Sequence, residues 1–234
     1  MPKTLCLKVW GDFACFTRLE MKVERVSYDV ITPSAARAIF EAILWKPEIR
    51  WRITRIEVLK PIKWISVRRN EVGKTALIEA PNKAGGSGLY IEDHRQQRAG
   101  LFLRDVSYRL HAEFDIVDSS KHVRHYSGLH KEKPLEPEDG QPEHPAKYLA
   151  MFQRRARNGQ CAWQPYLGCR EFSAHFELIE DIASAAQADP PIADSPDLGW
   201  MLHDIDYADS MTSVFFRPAM KHGVIDLDAV EVRR

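Results

Sequence analysis

Val106-Ser-Tyr-Arg-Leu-His-Ala-Glu-Phe-Asp-Ile116 alternates apolar and polar residues along its whole length. A period of two is the signature of a β-strand with one face on a core. The alternation puts Val106, Tyr108, Leu110, Ala112, Phe114 and Ile116 on one face, and Ser107, Arg109, His111, Glu113 and Asp115 on the other. Upstream, Leu5–Trp10 alternates in the same way and is expected to break at Gly11-Asp12. Thr32-Pro33-Ser34 reads as a helix start, and Ala36, Ile39, Phe40 and Ile43 recur at helical spacing over Ala35–Trp45, up to the stop at Lys46-Pro47. Ile49, Trp51 and Ile53 alternate, and Ile56 and Val58 continue on the opposite parity, so a bulge is expected near Arg55. Pro61–Val67 reads as a further strand or a continuation.

Downstream of the opening stretch, Asp118–His144 is polar and too long for a simple connection, which marks a functional loop or a partner-ordered segment. A second helix is expected from Pro145 to Asn158, closed by Gly159. Glu171–Ile179 alternates again, with Phe172, Ala174, Phe176 and Leu178 on one side. Strand, helix, strand, strand, helix, strand is the βαββαβ order of an α+β, ferredoxin-like (RRM-like) domain, here over residues 1–179. Residues 180–234 open with the loop Ala183–Asp197. Strand candidates at Trp200–Asp204, Ser213–Arg217 and Val224–Leu227 then suggest a small C-terminal antiparallel β appendage.

Hydrophobic residues make up 44% of the chain and charged residues 28%, enough apolar material for a core. No run approaches 18 apolar residues and the start lacks a basic-plus-apolar leader, so a cytoplasmic location and no membrane partner are expected. Cys6, Cys15, Cys161 and Cys169 form no CxxC pair and read as reduced thiols. The glycines of Pro81–Gly88 lack the motif of a phosphate-binding loop. The net charge of zero conceals a division: residues 171–234 hold 13 acidic against four basic residues, a balance of −9 that residues 1–170 must offset. Pro145–Arg170 contains Lys147, Arg154, Arg155, Arg157 and Arg170 and no acid. A basic sector beside an acidic one suits a polyanion on one side and a protein neighbour on the other.

On the second helix Leu149, Phe152 and Ala156 are expected to form the core stripe. Lys147 and Arg154, seven apart, share a different face with Arg157 beside them. The turn Gln164–Arg170 adds an aromatic and another arginine, whose planar fork matches phosphate oxygens. No RNP1 pattern is present, so base stacking on the sheet is not supported, and the basic helix is the better RNA surface. Of the six tryptophans, Trp163 is the first choice for stacking on RNA.

Four segments together resemble one family: Gly11-Asp12-Phe13-Ala14, Ser27-Tyr28 leading into Pro33–Pro47, Arg69-Asn70-Glu71-Val72, and KYLAMFQRRARNGQCAWQPYLGCREF at Lys147–Phe172. It is the type I-C (Dvulg) branch of the fifth CRISPR-associated protein, in the RAMP superfamily, and the likeness covers most of residues 1–178. The resemblance implies a ferredoxin-like domain with a C-terminal β appendage. It implies binding of a CRISPR repeat hairpin, metal-independent cleavage at the hairpin base, and retention of the product guide RNA within an interference complex of other subunits. In such cleavage a 2′-hydroxyl attacks the neighbouring phosphate, aided by a base, an acid for the leaving 5′-oxygen, and a cation on the developing charge.

The family's catalytic trio is a tyrosine just before Trp-Lys-Pro and a Lys-His pair opening the second helix. Lys147 matches the lysine, Tyr148 stands at the histidine position, and Leu44 stands at the tyrosine position. The expectation is therefore that Lys147 stabilises phosphate charge while Tyr148 or His144 moves the proton, with Tyr28 a further hydroxyl within the chain. Arg154, Arg155, Arg157, Arg170, Arg68 and Arg69 are assigned to RNA binding. No cofactor or metal is expected, although His122, His125 and His130, or Asp204, Asp206 and Asp209, would be the groups to hold a metal. The alternative reading is a non-catalytic subunit that grips the 5′ handle of a guide RNA; the same cations would also bind duplex DNA.

Overall fold

The strand that opened the sequence reading is the spine of the larger sheet. A computed structural model describes residues 4–74, 90–117, 144–206, 210–228 and 230–234. The elements run β1 (Leu5–Ala14), α1 (Pro33–Ile43), β2 (Ile49–Val58), β3 (Trp64–Val72), α2 (Ile91–His94), β4 (Arg95–Ile116), α3 (Pro145–Arg157), β5 (His175–Ile179) and α4 (Ile182–Ala188). Then come β6 (Met201–Asp206), β7 (Thr212–Phe216), β8 (Met220–Lys221), β9 (Val224–Asp226) and β10 (Val232–Arg233). The large sheet has the order β5-β1-β4-β2-β9-β8, with β3 paired to β4 as well. All its named strand pairings are antiparallel. α1 packs on β2, α3 on β5, and the helices touch each other. The result is a mixed helix-and-sheet protein with a mostly antiparallel sheet.

β4 is twice as long as the alternating stretch. Arg95–Leu103 pairs with β3 alone before Leu103–Ala112 meets β1 and Tyr108–Ile116 meets β2. Its first five residues, 95–99, are mostly polar and largely exposed on both faces, so no alternation betrays the start of the strand. Between the two parts Asp105 takes a positive φ of 54°, and its carboxylate binds Lys60 at 2.5 Å and Lys63 at 3.3 Å. The bulge expected near Arg55 is present, as a register shift between Ile53 and Arg55.

Two expectations are corrected. β1 continues through Gly11-Asp12 to Ala14 rather than breaking there. Gly11 is needed for close packing: a Cβ would lie 2.6 Å from Leu167 Cδ1 and 3.1 Å from the Ser173 carbonyl. The polar face of β4 is buried as well at Ser107, Arg109 and His111. Arg109 donates to Glu57 at 2.5 Å and to the Ala185 and Asp189 carbonyls at 2.9 and 2.7 Å. Finally, the tail strands do not form one sheet. β6, β7 and β10 make a separate three-stranded sheet, while β9 pairs with β2 and extends the large one.

Candidate functional site

α3 is fixed from both ends and along one side. Pro145 opens it, and the His144 side chain accepts a hydrogen bond from the Ala146 amide at Nδ1, 3.1 Å away. Such a cap satisfies one of the orphan amides of the first turn. Asn158 caps the other end, and Gly159 follows with φ of 63°, as the sequence suggested. The buried stripe is Tyr148, Phe152 and Ala156, with Leu149 only half-buried. The expected stripe is therefore shifted by one residue at its start. Phe152 packs at 5.5 Å from the Phe40 ring and 4.9 Å from Trp51, which ties α3 to α1 and β2.

This shift decides the surroundings of the three proposed catalytic residues. Lys147 is exposed, with Nζ 5.6 Å from the centroid of the Tyr148 ring. Tyr148 is 2% exposed and meets Phe114 edge-on at 6.5 Å, so its ring is part of the core. His144 is exposed beside them, one turn back. Its Nδ1 is occupied as an acceptor, so the neutral ring carries its proton on Nε2 and presents an N–H outward.

The C-terminal corner of α1 is closed. Leu44 is fully buried. Its carbonyl accepts from Trp51 Nε1 at 2.8 Å, the Ile43 carbonyl from Arg155 at 2.9 Å, and the Ala42 carbonyl from the Ala162 amide at 2.7 Å. Tyr28 is likewise buried, and burial raises its hydroxyl pKa, with Glu20 adding to the rise; Arg18 lies over its ring at 4.6 Å.

The six arginines divide into two groups. Arg155 is occupied by the Ile43 carbonyl, and Arg157 by Glu180 at 2.5 Å. Arg69 binds Glu71 at 2.9 Å and Glu171 at 3.1 Å, and stacks over Phe102. Arg154, Arg170 and Arg68 are exposed and make no ion pair among the described residues. Nothing local in the sequence separates the groups, because every tethering partner except Glu71 is distant along the chain.

The turn 165–172 carries Arg170 and docks on β1. The Cys15 amide donates to the Leu167 carbonyl at 3.0 Å, and Leu167 N donates to Phe172 O at 2.8 Å. Gly168 has φ of 83°, and a Cβ there would lie 2.1 Å from the Cys15 carbonyl oxygen, so glycine is required on two counts.

The metal alternatives fare differently. Asp204 is engaged by two nitrogens of Arg37, and Asp206 by Arg234 at 3.1 Å, which accounts for both acids as ion pairs. Asp209 and the histidines at 122, 125 and 130 lie outside the described residues, among which no cluster suited to a metal ion is found. No helix of the described residues is long and apolar enough to cross a membrane.

A mostly antiparallel sheet with a cationic helix and a glycine-docked turn on one side defines a class of basic-faced α+β proteins. The comparisons name it: the family model described as "CRISPR-associated protein (Cas_Cas5)", for Cas5d, matches residues 4–228, and the chain belongs to that family. It is 47% identical to the CRISPR pre-crRNA endoribonuclease Cas5d of Mannheimia succiniciproducens, over the full length of both chains. It is 40% identical to the protein of the same description from Thermus thermophilus, covering 88% of this chain and 74% of the relative. Two solved structures share the fold: a CRISPR-associated protein (TM-score 0.66, 22% identity, 100% of this chain and 97% of that one) and a functionally uncharacterised protein from Streptococcus mutans (0.64, 20%, 100% and 98%).

Proposed function

We propose that this chain is a CRISPR repeat-RNA processing endoribonuclease that cleaves at the base of the repeat hairpin without a metal and then stays with the guide RNA as a subunit of a type I-C interference complex. The identity shared with the Mannheimia endoribonuclease over both full lengths carries the reading. The fold agrees with it. Taken as β1, α1, β2, β4, α3 and β5, the element order, with the strand order β5-β1-β4-β2, supports a ferredoxin-like reading of the main unit.

In the mechanism this supports, the exposed Lys147 ammonium sits at the phosphate and offsets the charge that grows as the 2′-oxygen attacks. His144 is the better proton carrier of the two candidates because it is exposed, whereas Tyr148 is sealed in the core. Tyr148 orients Lys147 from below. Arg154, Arg170 and Arg68 supply the phosphate contacts, while Arg155, Arg157 and Arg69 hold the elements that display them.

The closed corner at Leu44 supports a second reading, a guide-RNA 5′-handle-binding subunit without cleavage activity, since no hydroxyl stands at that position. Incubation with cognate repeat RNA in EDTA, wild type against Lys147→Ala, separates the two. Cleavage by wild type alone is expected; tight binding without cleavage by either protein would replace the nuclease with the scaffold.

A further inference from the structure

Cys15 and Cys169 are 154 positions apart in sequence and meet where the turn 165–172 docks on the end of β1. Cys15 Sγ lies 3.5 Å from Thr17 Oγ1, and Cys169 Sγ lies 4.0 Å from the same hydroxyl. The Cys169 thiol also contacts the Cys15 carbonyl at 3.5 Å, and Arg25 Nη1 donates to the Cys169 sulfur at 3.5 Å. Cys15 is fully buried, whereas Cys169 keeps 8% of its surface. Neither thiol has a part in the cleavage chemistry above.

We propose that Cys15 and Cys169 form a reversible, peroxide-responsive dithiol–disulfide pair that locks the turn 165–172 onto β1. Shared hydrogen bonding already holds the two side chains together, and the docked backbone of Gly168 keeps them there. The protonation states are also divided as the chemistry needs. The hydrogen bond from the Cys15 thiol, with Arg25 alongside, brings Cys169 down to about 6 against the opposing effect of burial. The same bond, together with burial, pushes Cys15 far above the usual thiol range. Near neutral pH one sulfur is thus a nucleophilic thiolate and its neighbour a resolving thiol, the arrangement of redox-sensing cysteines.

The steps balance. The Cys169 thiolate attacks one oxygen of hydrogen peroxide, the O–O bond breaks, and hydroxide leaves, giving a sulfenic acid. The Cys15 sulfur then attacks the sulfenic sulfur; the S–O bond breaks, and the departing hydroxyl takes the Cys15 proton to leave as water. The two sulfurs give up two electrons, and both peroxide oxygens end as water or hydroxide. A small dithiol reverses the reaction by exchange. On oxidation Arg25 loses its thiolate partner and retains Glu171 at 3.3 Å, a carboxylate it shares with Arg69. The switch thereby reaches the base of the arginine-bearing hairpin formed by β3 and β4.

The test treats the reduced, full-length protein with a small excess of hydrogen peroxide at neutral pH and maps it by mass spectrometry without reduction. The expected product has lost two hydrogen atoms, holds a single Cys15–Cys169 link, and reverts with dithiothreitol. Its melting temperature rises by roughly 5 °C or more, because the link closes a long loop of the unfolded chain. Cys15→Ser and Cys169→Ser should each abolish both changes. Thiols that stay intact, a link through Cys6 or Cys161, or Cys169 oxidised to sulfinic acid without a link would each overturn the proposal. The wild-type map decides this even where a variant fails to fold. Alkylation of Cys169 by iodoacetamide gives a second check: a midpoint near pH 6 is expected, and one above pH 9 would rule out the thiolate.

Discussion

Two helix ends carry the positions at which the proposed catalytic residues fall, and they are built in opposite ways. At the C-terminal end of α1 the last carbonyls are satisfied by Trp51, Arg155 and Ala162, and Leu44 is sealed into the core. At the N-terminal end of α3 the backbone is capped by one exposed imidazole, and Lys147 stands in solvent above a buried tyrosine. The first end has become pure packing, while the second keeps a cation and a titratable ring. One end can be sealed into the core while the other keeps a cation in solvent, because packing and exposed charge fall on different faces of the same helix.

The sharpest way to break this contrast is Lys147→Ala. If the open end carries the chemistry, cleavage of repeat RNA should fall about a thousandfold, the scale of removing one donor from a developing oxyanion. Binding of the same RNA, measured by anisotropy, should weaken much less. A comparable loss in both would make Lys147 a binding residue only. Next in size comes the tyrosine beneath it. Tyr148→Ala should cost about 3 kcal/mol in urea unfolding as a buried aromatic is deleted. Tyr148→Phe keeps the ring and should leave cleavage within about twofold of wild type, since proton transfer would cost far more to lose. A large rate loss in the Phe variant would return the tyrosine to the chemistry.

How far the sequence alone reached follows from the same contrast. The strands of the main sheet and both long helices were legible wherever apolar residues recur at one period against polar ones, as in α3 and the second half of β4. The reading failed where a distant segment covered the second face. Gly11 looked like a break because Leu167 and Ser173, which demand its missing side chain, are remote in the chain. The burial of Arg109 could not be read from its strand, because its carbonyl partners at Ala185 and Asp189 come after a long polar insertion. The polar run at the start of β4 has neither face buried, so nothing in its pattern marks a strand. At the proposed site, the exposure of Lys147 agrees with the charged face that its spacing suggested. The division of the arginines was not legible, since it rests on the carbonyl of Ile43 and on Glu171 and Glu180.

His144 is where the open end can be sharpened, because substitutions separate its observed cap from its proposed proton transfer. His144→Asn retains a side-chain oxygen able to cap Ala146, whereas His144→Ala removes the cap and should destabilise the protein by about 1 kcal/mol. If the imidazole transfers a proton, both variants should lose about a hundredfold in cleavage while only the alanine loses stability. If it is a cap alone, the asparagine variant should cleave like wild type.

The smallest expected effect concerns the arginines, and it asks whether the contrast between open and occupied groups extends along α3. Arg154 is exposed without an ion pair among the described residues, whereas Arg157, three positions on, is held by Glu180 at 2.5 Å. A cation that contacts RNA phosphate releases condensed counterions, so its removal lowers the salt dependence of binding by about one unit of slope on logarithmic axes. Arg154→Ala should therefore flatten the plot of affinity against salt, and Arg157→Ala should leave its slope nearly unchanged. Equal slopes for the two variants would mean that RNA pulls Arg157 away from Glu180. The exposed pair contributes about 1 kcal/mol or less, so a phosphate could win that competition. In that case Glu180→Gln should tighten binding, and α3 would present one continuous cationic edge from Lys147 to Arg157 instead of a single exposed arginine behind the proposed catalytic lysine.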